Sequence, residues 1–77
     1  MHLTANEFRM IRKVYRLSTV EYGALCDISG AYVNYIENNK RNLTDRVRRK
    51  LVAELQLTPD KLAQITAVYN EYSVNAT

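Results

Sequence analysis

One cysteine, one histidine and two glycines are all that this 77-residue chain holds of the residues that build disulfides, metal sites and phosphate loops. Cys26 alone can make no intramolecular disulfide, and Cys26 with His2 is too little for a metal site. Gly23 and Gly30 stand apart, so there is no glycine-rich loop to cradle a phosphate. No nucleophile–base pair and no carboxylate pair stands out, which makes an enzyme the weakest reading. No cofactor, metal or small-molecule ligand is expected. The N-terminus lacks an apolar signal core, and no apolar run approaches the roughly 20 residues that cross a bilayer. The expectation is a cytoplasmic protein without membrane contact. A chain of this length buries only around 60% of its unfolded surface, enough for one small core over residues 1–77 but not for a deep catalytic cavity.

Acidic residues are scarce in one half of the chain. Residues 1–50 hold ten Lys and Arg against five Asp and Glu, whereas residues 51–77 hold one against three. The basic half points to a polyanion partner on that side. Charge alone favours the plainer reading, a solvated basic surface.

No strand signal and no repeat occurs, and the helical signals come in order. Residues 1–3 are expected to fray. Phe8, Ile11 and Tyr15 recur at helical spacing after Thr4 or Asn6, either of which can cap, with Glu7 in the first turn. Arg16 falls where glycine is usual for a left-handed exit, and Leu17 pins that corner. Thr44 caps a later helix with Asp45 in its first turn and Val47, Leu51 and Leu55 as its stripe, while Arg46, Arg48, Arg49 and Lys50 crowd its other faces. Leu57 is expected to end it. Thr58-Pro59-Asp60 then supplies a cap, a proline at the first helical position and an acid. Leu62, Ile65, Val68, Tyr69 and Tyr72 carry that last helix over about 59–72, and Ser73–Thr77 shows no pattern. The fold class is all-α, five helices with short connections.

The stretch around which these helices are organised runs from Ser18 to Arg41. Ser18 and Ser29 are N-caps for helices at about 19–26 and 30–37. Cys26-Asp27-Ile28 leaves room only for a turn, and Asp27 tolerates left-handed geometry. Tyr22, Gly23 and Cys26 share one face of the first helix. Val33 and Ile36 share one face of the second, from which Ala31, Asn34 and Tyr35 turn away. A helix, a tight corner and a helix with a polar–aromatic outer face have the build of a helix-turn-helix over about 18–37.

The chain resembles the Cro/cI-like, or XRE-type, helix-turn-helix family, in register from about Phe8 to Leu62. The resemblance rests on Ile11-Arg12-Lys13, Leu17-Ser18, Ile28-Ser29, the V-x-x-I-E run of Val33 to Glu37, Lys40-Arg41-Asn42, and the L-x-L-T-P-D-x-L run of Leu55 to Leu62. It implies a compact five-helix, lambda-repressor-like domain that binds double-stranded DNA. Thr19 stands where the family usually has Gln, Gly23 where it has Ala, Asp27 where it has Gly, and Gly30 where it often has Gln or Arg. Gly30 therefore leaves one usual base-reading position without a side chain, while Gly23 allows a close helix crossing.

In this light Ala31, Tyr32, Asn34 and Tyr35 are the base-reading candidates. Asn can pair with an adenine edge, Ala can meet a thymine methyl, and Tyr can donate a hydrogen bond. Thr19, Asn38, Lys40, Arg41 and Asn42 are the phosphate candidates, helped by the backbone donors of the second helix. The resemblance also implies a structural salt bridge between Arg12 and Glu37 that orients the recognition helix, with Arg12 placed to face a phosphate as well. Phe8, Ile11, Tyr22, Cys26, Ile28, Val33, Ile36, Val47, Leu51 and Leu55 are expected in the core.

Ile65, Val68, Tyr69 and Tyr72 either close the core or form a homodimer contact, as the C-terminal helices of the family often do. The leading expectation is a transcriptional repressor of phage or mobile-element type, dimeric on a palindromic operator. A controller of a restriction–modification operon is the nearest alternative, since Ile36 to Asn42 fits the I-E-x-N-x-R-N run of such proteins. A protein-interaction module such as an antitoxin or antirepressor is the alternative from another class.

Overall fold

The computed structural model describes residues 1–75, with side-chain surroundings as far as Tyr72. Five helices make up the fold, and no strand occurs among the described residues: α1 (Ala5–Val14), α2 (Thr19–Cys26), α3 (Gly30–Glu37), α4 (Asp45–Leu55) and α5 (Pro59–Asn75). The first four are each capped by a hydroxyl. Thr4, Ser18, Ser29 and Thr44 take an extended backbone, and each side-chain oxygen accepts the backbone N–H three residues on. At α1 and α2 the cap is reciprocal, since Glu7 and Glu21 reach back to the N–H groups of Thr4 and Ser18 at 2.9 Å.

The corners turn on four left-handed residues: Arg16 (φ 57°), Asp27 (φ 64°), Asn39 (φ 60°) and Gln56 (φ 52°). None is glycine. Arg16, Asp27 and Asn39 sit at the positions where the sequence signals a stop. Gln56 does not announce itself, and α4 ends at Leu55 rather than at Leu57, whose side chain instead dips into the core.

That core is a single cluster built around Phe8, Ile11, Tyr22, Val33, Ile36 and Leu51, which are fully buried. The Phe8 and Tyr22 rings meet with centroids 4.6 Å apart, and the Tyr22 hydroxyl donates a 2.7 Å hydrogen bond to the Phe8 carbonyl. The phenol is thereby satisfied where water does not reach. Ile28 and Leu55 are only partly buried at its edge, and Tyr15 caps α1 from an exposed position.

Two expectations about the ends are corrected. Residues 1–3 do not fray as a unit: Leu3 is fully buried, and its carbonyl accepts a 2.7 Å hydrogen bond from Arg48 Nε on α4. An apolar side chain with a place in the core outweighs position near the terminus. At the other end α5 continues to Asn75, three residues beyond the reading from the pattern, while Ala76 and Thr77 lie outside the described residues.

α2 packs most extensively on α3 and also on α4, while α1 bridges α5 and α3. The result is compact, with a Cα radius of gyration of 11.9 Å. No described helix is long and apolar enough to cross a membrane.

Candidate nucleic-acid interface

α2 and α3 are joined by Asp27, Ile28 and Ser29. The Ile28 N–H donates to the Gly23 carbonyl at 2.9 Å while Asp27 supplies the left-handed bend. A Cβ on Gly23 would lie 2.5 Å from the Ile28 carbonyl oxygen, so the missing side chain lets the corner fold back onto α2. The close approach expected of Gly23 is therefore to the backbone of this corner. Gly30 is a second such contact, since a Cβ there would lie 3.0 Å from Val20 Cγ2 and 3.2 Å from Val20 Cα. The absence of a side chain at the start of α3 is thus matched by Val20 of α2, which itself stands 71% exposed.

The orientation of α3 against α1 is fixed by charge. Arg12 Nε and Nη2 donate to the two carboxylate oxygens of Glu37 at 2.6 and 2.9 Å, and Nη1 donates to the Leu17 carbonyl at 3.1 Å. Both side chains are largely buried, at 12% and 6% exposure. The hydrogen bond to Glu37 holds the Arg12 guanidinium still more firmly protonated, against the opposing pull of burial. One donor on each of its three nitrogens is thus turned inward, to Glu37 and to Leu17.

α3 so held buries Val33 and Ile36 and leaves Ala31, Asn34 and Tyr35 exposed. Tyr32, the fourth base-reading candidate, is partly buried and packs on the core. Beyond the helix, Asn38 is the C-cap and Asn39 the left-handed residue, and the Tyr35 carbonyl accepts the N–H groups of both Lys40 (2.8 Å) and Arg41 (3.2 Å). This folds the chain back so that Asn38, Lys40, Arg41 and Asn42 are exposed around the C-terminal end of α3. The helix dipole favours cations there. The Arg41 guanidinium lies over the Tyr35 ring, 5.6 Å from its centroid, and Nη1 also donates to the Lys40 carbonyl at 2.9 Å. Arg41 and Asn42 border an open cleft of about 390 Å³ with Asn39, Leu43, Arg48 and Ala5.

Thr19, the remaining phosphate candidate, is partly buried at the first turn of α2. That turn is less open to an anion than its sequence suggests. The Glu21 carboxylate already accepts the Ser18 N–H, and the hydrogen bonds from Ser18 pull the Glu21 carboxyl below its usual range, keeping a negative charge at the helix start.

The four cations of α4 separate in the structure. Arg48 is committed inward to Leu3 and, through a 2.8 Å bond, to Asp45; Lys50 pairs with Glu54 at 2.9 Å; Arg46 lies 3.5 Å from Asp27, both side chains exposed. Arg49 is exposed.

Along α5 the apolar side chains separate too. Ile65 is buried and closes the core, so it is withdrawn as a dimer contact. Tyr69 is half-buried and its hydroxyl accepts from Arg9 at 3.1 Å. Val68 and Tyr72 remain exposed, at 38% and 66%. Cys26 is buried, and burial pushes its thiol up to about 11, away from redox chemistry. Among the described residues no group of three His, Cys, Asp or Glu side chains converges as a metal site requires.

No protein-family model matches this chain, and no curated protein or solved structure is significantly similar to it.

Proposed function

We propose that the chain is a sequence-specific double-stranded DNA-binding regulator of the XRE-type, lambda-repressor-like class, with α2 and α3 as its helix-turn-helix. The observation that carries this reading is the presentation of α3. It is anchored from behind by Val33, Ile36 and the Arg12–Glu37 pair, and it offers Ala31, Asn34 and Tyr35 outward with Lys40 and Arg41 at its end. A short helix with a fixed inner face, a small polar–aromatic outer face and a cationic rim suits a major groove, where side chains read base edges and cations meet phosphates.

In this reading α3 enters the groove, Asn34 pairs with a base edge, and Lys40, Arg41, Asn38 and Asn42 hold the backbone. The protein acts as a homodimer on two half-sites roughly 34 Å apart, one turn of duplex. Val68 and Tyr72 are the exposed apolar residues of α5 that serve such a dimer. Regulation is by occupancy of the operator, as repression or autoregulation in a cytoplasmic setting, and a restriction–modification controller is a special case of the same chemistry. Selection of bound duplexes from a random pool is the test. Paired half-sites about one turn apart are expected, and a pool that stays random contradicts the reading.

A second reading has one observation in its favour. The same exposed Val68 and Tyr72 also suit a different protein partner, as in an antitoxin or antirepressor. A stable heteromeric complex with no salt-sensitive DNA affinity favours it over the first.

A further inference from the structure

Tyr35 has two possible parts at the end of α3, and the geometry separates them. The residue is 44% exposed, which leaves its hydroxyl a candidate for a base edge. Yet the ring face is occupied: the Arg41 guanidinium lies over it, 5.6 Å from the centroid. Two backbone bonds bring the two residues together. The carbonyl of Tyr35 itself accepts the N–H groups of Lys40 and Arg41, which places the Arg41 Cα back beside the residue whose ring it covers. The Arg41 side chain then closes a third link through Nη1 to the Lys40 carbonyl. A long, exposed arginine normally carries rotamer entropy that must be overcome when it binds an anion. Here much of that freedom is removed beforehand by the ring and the carbonyl.

We infer that Tyr35 is a positioning residue, whose ring holds the Arg41 guanidinium at the rim of α3 so that Arg41, and not the Tyr35 hydroxyl, meets the DNA there. This rests on the DNA-binding reading above and specifies the division of labour within that site. A guanidinium carries five donors in a planar fork, and here the Nη1 group is the one engaged, at the Lys40 carbonyl. Asn42, itself exposed, borders the same cleft as Arg41, which suits a backbone phosphate.

The test uses the full chain and a duplex taken from the selection, with affinity measured at several salt concentrations for Tyr35→Phe, Tyr35→Leu, Arg41→Ala and Tyr35→Leu combined with Arg41→Ala. Leu keeps helix propensity, and thermal melts establish that each variant folds. In the free protein, proton NMR reads the Arg41 side-chain methylenes, which a ring shifts upfield. Tyr35→Phe is expected to keep that shift and to bind within about twofold of wild type. Tyr35→Leu is expected to lose the shift and to weaken binding about two- to fivefold on every duplex, the size of an exposed cation–ring contact. On the Arg41→Ala background, Tyr35→Leu is expected to cost nothing further.

Loss in Tyr35→Phe equal to that in Tyr35→Leu, confined to the selected duplex, overturns the inference and makes the hydroxyl a base reader. Additive losses in the double variant overturn it as well. A wild-type protein with the ring shift but no DNA affinity removes the DNA-binding reading and, with it, any such role for the pair. Wild-type DNA affinity without the ring shift overturns the inference alone.

Discussion

Gly23 lies directly beneath the Ile28 carbonyl, so close that a Cβ would stand 2.5 Å from the oxygen. The contact is to backbone, which cannot rotate aside as a side chain can. Alanine is the better helix former by about 1 kcal/mol, yet the corner must open to admit it. Gly23→Ala is therefore expected to lower stability by about 1–3 kcal/mol, read as a shift of the urea midpoint at constant slope. Gly30→Ala meets chiefly the Val20 side chain and is expected to cost less than Gly23→Ala. Equal or higher stability of Gly23→Ala contradicts the packing described.

The reverse applies at the left-handed corners. Arg16 and Gln56 hold φ values of 57° and 52° with a Cβ in place. Glycine relieves the strain of that conformation, although it adds freedom to the unfolded chain. Arg16→Gly and Gln56→Gly are each expected to raise stability by up to about 1 kcal/mol, read as a higher urea midpoint, in the sense usual for such corners. Destabilisation by both shows that these side chains contribute more than their backbone costs.

Removal of one member of the Arg12–Glu37 pair leaves the other charge stranded in a largely buried place. Glu37→Ala is expected to cost about 2–4 kcal/mol in thermal or urea unfolding, toward the lower part of the range for buried pairs because Arg12 keeps its bond to Leu17. Replacing both with Met is expected to recover most of that loss while loosening the hold on α3. DNA selectivity then falls although stability returns. A double variant with unchanged selectivity limits the pair to a packing role.

Alkaline pH is expected to weaken the fold through two buried acids. Burial is the leading cause at both: the Cys26 thiol moves up to about 11, and the Tyr22 phenol moves well above its ordinary value. A raised value means that the folded chain favours the protonated form. The contribution is whole below the unfolded value and is lost as pH rises through the folded one. For Cys26 that window runs from about 9 to about 11 and amounts to at most about 2–3 kcal/mol. Urea midpoints measured from pH 7 to 10.5 are expected to fall above pH 9, and Cys26→Ala is expected to flatten the fall. A profile level through pH 10.5 contradicts the burial.

On the DNA side, Asn34→Ala is expected to cost about 1–3 kcal/mol against the selected duplex and little against random duplex, because it removes a base contact. Lys40→Ala is expected to weaken all sequences alike and to lower the salt slope by about one. Anisotropy titrations distinguish the two, and equal losses of Asn34→Ala on both duplexes withdraw it from the readers.

Much of this arrangement is legible in the residues because its signals are local. Ser18, Ser29 and Thr44 each announce a helix start within four residues, and Asp27 and Asn39 announce the corners. The facing of Val33 and Ile36 follows from spacing alone. What escapes is set by tertiary partners. Leu3 looks like a loose end until the core supplies its place and Arg48 its hydrogen bond. Arg48 reads as one of four alike cations, and only its neighbours commit it inward. Ile65 and Tyr72 share a pattern on α5, but Ile65 meets the core and Tyr72 faces out.

The candidate site divides along the same line. Ala31, Asn34 and Tyr35 are readable as an outward face, whereas Tyr32 is drawn off it by contact with the core. Val20 has no signal of its own, because its position over Gly30 depends on how α2 crosses α3. The stacking of Arg41 on Tyr35 likewise requires the chain reversal at Asn39, which brings residues six apart together.

Selective recognition of duplex DNA is checked by fluorescence anisotropy of the wild-type protein on selected and random duplexes over a range of salt. Binding to the selected duplex is expected to be about 10³-fold or more tighter than to random sequence, with a salt-dependent share common to both. Weak affinity, equal for every sequence and lost as salt rises, contradicts it and leaves the basic half of the chain a polyanion surface.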